Sequence, residues 1–138
     1  MKQVQPEAFK AMLGLEKYLN TTGLNTGYLD LIKIRASQVN GCAYCINMHA
    51  RDARQHGETE QRIYLLNAWR ETILYTEEER AILALTEEIT EISKHTGVEA
   101  YEKAAGLFSE TVLAQIIMAI IAINAWNRIG ITTQMQPD

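Results

Sequence analysis

The sequence is poor in residues that interrupt helices. Its 138 residues include only two prolines and eight glycines. No segment shows the alternation of apolar and polar residues that a half-buried strand requires, and no internal repeat is visible. These absences argue against a sheet-based fold and favour long helices. We therefore predict an all-α fold, a single-domain bundle of about six to seven helices that spans residues 1–138.

The sequence also lacks a cluster of lysine and arginine. Its formal net charge is −4 at pH 7, whereas a nucleic-acid-binding surface needs positive charge. The first seven residues, Met-Lys-Gln-Val-Gln-Pro-Glu, contain no apolar core of a secretion signal. We therefore expect no nucleic-acid partner and a cytoplasmic location.

No apolar run is long enough to span a membrane. Residues 112–126 form the main one, which Gln115 and Asn124 interrupt and which falls short of the roughly 20 apolar residues that a span needs. On a helix, this run would present an apolar surface on nearly all sides. Such a surface is typical of a helix buried centrally or in contact with a second subunit. We expect no membrane association, and we predict a homo-oligomer with this helix at the subunit interface.

Only two cysteines occur, Cys42 and Cys45, and they form a Cys-x-x-Cys pair. His49 follows four residues later. Residues 43–54 contain no proline or glycine, so a helix is predicted to start directly after the break at Asn40-Gly41. Because a helix advances about 100° per residue, the two thiols and the imidazole fall within an arc of about 60°. The sequence therefore predicts a reactive face at a helix N-terminus.

The other helices follow from apolar spacing and from capping signals. The predicted helices, in chain order, run from about Pro6 to just before Thr21, from Asn25 or Thr26 to Asn40, from the cysteines to His56-Gly57, from Thr59 to Trp69, from a capping box at Thr76 to about Ile92, from Val98 to Leu107, and from Ser109 to about Asn127.

The cysteine–histidine face carries the groups that reversible thiol oxidation needs. A helix N-terminus stabilises a thiolate, which is the reactive form of cysteine. His49 can take a proton from Cys45 or return one to a leaving group. A second thiol captures an oxidised cysteine as a disulfide before it oxidises further.

Asp30 is a candidate fourth member of the site. If the second and third helices form a hairpin at Asn40-Gly41, Asp30 and His49 lie about 15 Å and 12 Å above the turn. A carboxylate beside an imidazole can orient it and raise its basicity. The alternative is that Asp30 is exposed and pairs with Lys33.

Other interpretations of the cysteine pair stay open. The cysteines can be two small buried residues, since free cysteine is often fully buried. A zinc site is a second interpretation, and its four ligands would be Cys42, Cys45, His49 and Asp30. A thioredoxin-type enzyme is a third, but the βαβ pattern around its motif is missing.

The segment around the cysteines resembles the AhpD-like alkylhydroperoxidases, within the carboxymuconolactone decarboxylase family. The resemblance rests first on Ala36-Ser-Gln-Val-Asn-Gly-Cys-Ala-Tyr-Cys-Ile-Asn-Met-His-Ala-Arg-Asp-Ala-Arg54. It continues through Ala68-Trp-Arg-Glu-Thr72, Glu78-Glu-Arg-Ala81, Leu85-Thr-Glu87 and Ala122-Ile-Asn-Ala-Trp-Asn-Arg128. It implies an all-helical fold, usually in homo-oligomers, that reduces organic hydroperoxides through a cysteine pair.

The resemblance also implies roles for individual residues. Cys45 matches the peroxidatic cysteine, Cys42 the resolving cysteine and His49 the proton-relay histidine. Asp30 stands where the family usually has the glutamate of the relay. Tyr44 stands where well-studied members have a histidine, so the same reductant partner does not follow.

These observations together predict a thiol peroxidase. Cys45 is expected to attack an organic hydroperoxide and Cys42 to resolve the product, with a dithiol as reductant and with no cofactor or metal ion. Cys42, beside the Asn40-Gly41 turn, is expected to face solvent and the reductant. The alternative function is that of a non-catalytic helical oligomer whose cysteines sense redox state or bind metal.

Overall fold

The computed structural model describes residues 1–138 and confirms the all-α prediction. Seven α-helices and two short 3-10 helices form the chain. The α-helices are α1 (Pro6–Thr21), α2 (Thr26–Asn40), α3 (Ala43–Gln55), α4 (Glu60–Tyr64), α5 (Glu77–Thr90), α6 (Glu99–Leu107) and α7 (Glu110–Thr132), and the 3-10 helices are Leu66–Glu71 and Ile92–Lys94.

Helices α2 and α3 form the predicted hairpin. The Asn25 side chain caps α2 by accepting the backbone N–H groups of Gly27 and Tyr28. At the other end Gly41 has a φ of 72°, a left-handed conformation that glycine adopts without steric cost. Its position lets the chain reverse within two residues, so α3 starts against the end of α2. The reactive face is therefore set by the turn itself.

The core is built around α2, which packs against α3, α5 and α7. One apolar cluster joins α2 to α5 and α7, and its fully buried members include Ile32, Ala36, Ile82, Ile116, Ile120 and Ile123. A second cluster lies on the other side of α2, and it contains Leu31, Ile34, Ala53, Leu66, Trp69, Tyr75 and Leu83. Burial on two sides fixes the orientation of α2, and hence that of the hairpin.

Two helices differ from the prediction. The predicted helix from Thr59 to Trp69 is broken into α4 and the first 3-10 helix. A 3-10 helix has three residues per turn, so Leu66 and Trp69 point the same way into the second cluster. Helix α7 continues to Thr132 instead of ending near Asn127. Gly130, which as a glycine signals a helix end, is instead a point of close packing inside the helix.

A buried polar network ties the hairpin turn to α7. The Asn40 side chain donates to Asn124 Oδ1 (3.0 Å) and Asn127 Oδ1 (2.9 Å). Asn127 in turn donates to Ser37 Oγ (2.9 Å), and Asn124 donates to Thr90 Oγ1 (2.9 Å). No buried side-chain polar atom is left without a partner. The network therefore anchors the C-terminal end of α2, and with it the hairpin turn, to α7.

The apolar run of residues 112–126 is too short to cross a membrane, but α7 extends beyond it at both ends, and with 23 residues it is long and apolar enough, by length and composition, to do so. The central helix of a folded core passes the same test, and α7 packs against α2 and α5 in the first cluster. Ile120 lies fully inside that cluster, whereas Ile121 is 44% exposed. One face of α7 therefore belongs to the core and another meets the surface.

Candidate active site

The cysteine pair lies at the N-terminus of α3, as the sequence predicts. Cys42 is the N-cap residue, and its sulfur accepts the backbone N–H of Cys45 at 3.3 Å. The two cysteines are joined as a disulfide, with Cα atoms 5.3 Å apart. The disulfide is the oxidised form that a Cys-x-x-Cys redox pair reaches.

The expectation that Cys42 faces solvent is wrong. Cys42 is 2% exposed and Cys45 is 3% exposed. The physical reason is the extension of α7, whose Gly130 packs against the pair. A Cβ atom at Gly130 would lie 3.2 Å from the Cys42 sulfur and 3.4 Å from the Cys45 sulfur. The backbone of α7 therefore covers the disulfide at a point where a Cβ atom would be tightly crowded.

A cavity of about 660 Å³ gives access to one of the two cysteines. Cys45 lines it together with His49, whereas Cys42 does not. Much of the remaining wall is apolar, and it includes Phe9, Tyr44, Met48, Trp126, Ile129 and Met135. Phe9 and Trp126 pack edge to face with ring centroids 5.5 Å apart. The cavity can therefore hold an apolar molecule with one end at Cys45.

His49 is held as a neutral imidazole. Burial lowers its pKa from 6.5 to about 4, and the nearby Lys33 ammonium adds to this effect. Asp52, with Oδ2 3.8 Å from His49 Nδ1, and Glu16 act in the opposite direction. At neutral pH the ring therefore has a free nitrogen that can accept a proton.

The expected pairing of Asp30 with His49 is absent. Asp30 Oδ2 instead lies 2.8 Å from Nδ1 of His56, at the C-terminal cap of α3. Helical side chains lean towards the N-terminus of their own helix. In an antiparallel hairpin, Asp30 therefore leans away from the turn and His49 towards it. His56, two turns beyond His49, leans back to meet Asp30.

The alternative, an exposed Asp30 that pairs with Lys33, is also wrong, because Asp30 is buried. Its side chain is buried, and this burial raises the carboxyl pKa, against the opposing effect of the His56 contact. Asp30 and His56 line a second cavity, and Lys33 lines both cavities. The zinc set is likewise not assembled, because no group of three or more His, Cys, Asp or Glu side chains is placed to hold a metal ion.

Sequence reasoning missed Glu16 and Lys33. Both line the cavity of Cys45 and His49. Lys33 Nζ donates to Glu16 Oε2 at 3.0 Å, and Trp126 Nε1 donates to Glu16 Oε1 at 3.1 Å. One signal was available: Glu16 is four residues after Met12 and three before Leu19, so it lies on the inward face of α1. A charge on such a face needs a partner.

The chain matches the carboxymuconolactone decarboxylase family over residues 6–88, which is more than half of its length. It belongs to this family. The uncharacterised protein YdfG of Bacillus subtilis (strain 168) is 47% identical over 130 residues, which cover 94% of this chain and 88% of YdfG. The resemblance that the sequence showed is therefore confirmed.

Two solved structures share the fold of this chain. ATU0492 of Agrobacterium tumefaciens, a protein of unknown function described as a candidate antioxidant defence protein AhpD, is 41% identical with a TM-score of 0.95. The match covers 99% of this chain and 94% of ATU0492. The debrominase Bmp8 is 22% identical with a TM-score of 0.88, over 97% of this chain and 73% of Bmp8. The fold of this carboxymuconolactone decarboxylase family member is thus AhpD-like.

Proposed function

We propose that this protein is a thiol-dependent peroxidase that reduces organic hydroperoxides through Cys45 and Cys42. One observation carries the proposal: Cys45 and the neutral ring of His49 line the same apolar-walled cavity, while Cys42 is bonded to Cys45 from behind. A nucleophile, a proton acceptor and a resolving thiol are thereby supplied at a single site. The likeness to ATU0492 adds support, as its description names antioxidant defence.

The reaction starts from the reduced pair. His49 takes the proton of the Cys45 thiol, and the thiolate attacks the terminal oxygen of the hydroperoxide. An S–O bond forms as the O–O bond breaks, and the leaving alkoxide takes the proton from His49. The products of this step are an alcohol and the Cys45 sulfenic acid.

Resolution of the sulfenic acid follows from the position of Cys42. The Cys42 sulfur attacks the Cys45 sulfur, a disulfide forms and water leaves. A dithiol then reduces the disulfide by exchange and is itself oxidised to a disulfide. Because both sulfurs are nearly inaccessible from outside, the reductant reaches them through the cavity. We propose that this cycle runs in the cytoplasm, where thiol pools are kept reduced.

Turnover tests the proposal directly. The protein is mixed with cumene hydroperoxide and dithiothreitol, and loss of peroxide is followed over many equivalents. We expect catalytic turnover that Cys45→Ser and Cys42→Ser each remove. His95→Gln, a change at an exposed histidine far along the sequence, is the matched control and should keep full activity. Absence of turnover with several peroxides and dithiols would contradict the proposal and favour a non-catalytic redox sensor.

We also propose that the protein self-associates through the exposed face of α7. Light scattering should give a mass that is a multiple of 15.6 kDa. Ile121→Glu should lower this mass, because it places a charge in an apolar contact, whereas Thr111→Glu, at an exposed position of the same helix, should not. A monomeric mass of the unmodified protein across micromolar concentrations would contradict the proposal.

A further inference from the structure

We propose that Glu16, and not Asp30, is the carboxylate that supports His49 in its proton transfers, a role that rests on the proposed function. Glu16 is a positioning residue in this scheme, because it acts on the reaction through His49. Glu16 belongs to α1, which contributes nothing to the Cys-x-x-Cys motif. In this scheme α1 supplies the negative charge that completes the site.

Two other helices hold Glu16 at the cavity. Its carboxylate lines the cavity that Cys45 and His49 also line. Lys33 Nζ from α2 binds one oxygen at 3.0 Å, and Trp126 Nε1 from α7 binds the other at 3.1 Å. Two helices thus fix a carboxylate whose side chain is only 23% exposed. A fixed, half-buried charge acts more strongly on its neighbours than a mobile surface charge does.

Charged groups of both signs act on the His49 ring. The charged groups that act on the ring are Lys33 from α2, Asp52 from α3 and Glu16 from α1. Lys2 also lines the cavity, whereas α7 adds no charged side chain to it. Lys33 opposes the imidazolium, and Glu16 favours it. Glu16 therefore has two effects: it attracts the proton to His49, and its ion pair with Lys33 offsets part of the positive charge that opposes the imidazolium.

Asp30 lies away from Cys45 and His49. Its carboxylate is bonded to His56 and lines a different cavity from Cys45 and His49. Asp30 is also absent from the charges that act on His49. An acidic residue stands at the sequence position of the relay, but its carboxylate meets His56 at the end of α3. The carboxylate of the site is supplied by another helix.

The chemistry requires the imidazolium only transiently. It exists between removal of the Cys45 proton and delivery of that proton to the leaving alkoxide. Because burial disfavours the charged ring, a nearby negative charge lowers the cost of this step. Without Glu16, the Cys45 thiolate forms less readily at neutral pH. The apparent pKa of the Cys45 thiol should then rise, and its reactivity should fall.

The test uses the Cys42→Ser protein, in which Cys45 is the only thiol. Glu16→Gln keeps the size of the side chain and an acceptor for Trp126, but removes the charge. Alkylation of Cys45 by iodoacetamide from about pH 5 to about pH 10 gives the thiol pKa, and cumene hydroperoxide gives the peroxide rate. We expect the alkylation midpoint to rise by about one unit and the peroxide rate at pH 7 to fall about tenfold. Asp30→Asn is the matched control, and it should change both within about twofold.

A second variant separates charge from structure. Glu16→Asp retains the negative charge and should restore the midpoint towards that of the parent. The inference is overturned if Asp30→Asn moves the midpoint and Glu16→Gln does not, if neither moves it, or if Glu16→Gln lowers the rate equally at every pH. Alkylation needs no peroxide, so the midpoint shift is measurable even if the protein proves not to be a peroxidase. Failure of the two proposals is thus distinguishable.

Discussion

Serine in place of Cys45 is expected to lower the rate of reaction with hydroperoxide by about a thousandfold or more, as loss of a catalytic nucleophile does. Cys45 lines the cavity beside His49, and Cys42 does not. Serine in place of Cys42 should leave the first step intact. Peroxide should then convert Cys45 to a sulfenic acid that accumulates, and turnover should stop after one cycle.

Mass spectrometry after trapping with a sulfenic-acid probe measures this difference. The measurement is informative because two physical effects favour different cysteines as the nucleophile. Cys42 is the N-cap of α3, where the helix dipole stabilises a thiolate, whereas Cys45 has the cavity and the histidine. Access and proton transfer decide the attack in our proposal. Faster probe labelling of the Cys45→Ser protein than of the Cys42→Ser protein would reverse the assignment.

A loss of stability in mild acid is the second large effect that we expect. The pKa of His49 is lowered to about 4 in the folded protein, from an ordinary value of 6.5. As pH falls from about 6.5 to about 4, the unfolded chain binds a proton that the folded chain does not. The free energy of unfolding should therefore fall by about 3 kcal/mol across this range because of His49 alone. Above pH 6.5 the contribution of His49 should be constant.

Urea unfolding of the disulfide-intact protein at several pH values measures this effect. His49→Gln removes the titrating ring and preserves approximate size, and all other titrating groups are common to both proteins. The difference between the two pH profiles isolates His49. We expect the wild-type profile to be steeper by about 3 kcal/mol between pH 7 and pH 4. Parallel profiles would show that His49 is not buried as a neutral ring.

Local sequence signals predicted the hairpin and the site at its turn. Gly41 ends α2, Cys42 starts α3, and the capping box at Thr76 is formed as expected. These features depend on neighbours in the chain, so they can be read without knowledge of packing. The positions of Cys45 and His49 followed from helical spacing for the same reason.

The carboxylate of the site could not be predicted in this way. The estimated heights above the hairpin turn placed Asp30 beside His49. Side chains on antiparallel helices lean in opposite directions, however, and this separates the two residues. Glu16 reaches the site only because α1 packs against α7, a contact between segments about 110 residues apart. No spacing rule connects such distant segments. The internal position of Gly130 in α7 is unpredictable for the same reason, since its cause is the pair of sulfurs beside it.

The glycine contact places a wall against the cysteine pair at the edge of the cavity, which Gly130 also lines. That wall is helix backbone, and the asparagine network holds it against the hairpin turn. Two separate thiols occupy more volume than one disulfide, since unbonded sulfur atoms stand further apart. Helix backbone anchored in this way yields less than the open space of the cavity, so we expect the extra volume to open into the cavity. Reduction should therefore move the Cys45 sulfur into the cavity, on whose wall His49 also lies. Each time the disulfide is reduced, the attacking sulfur would return to this position.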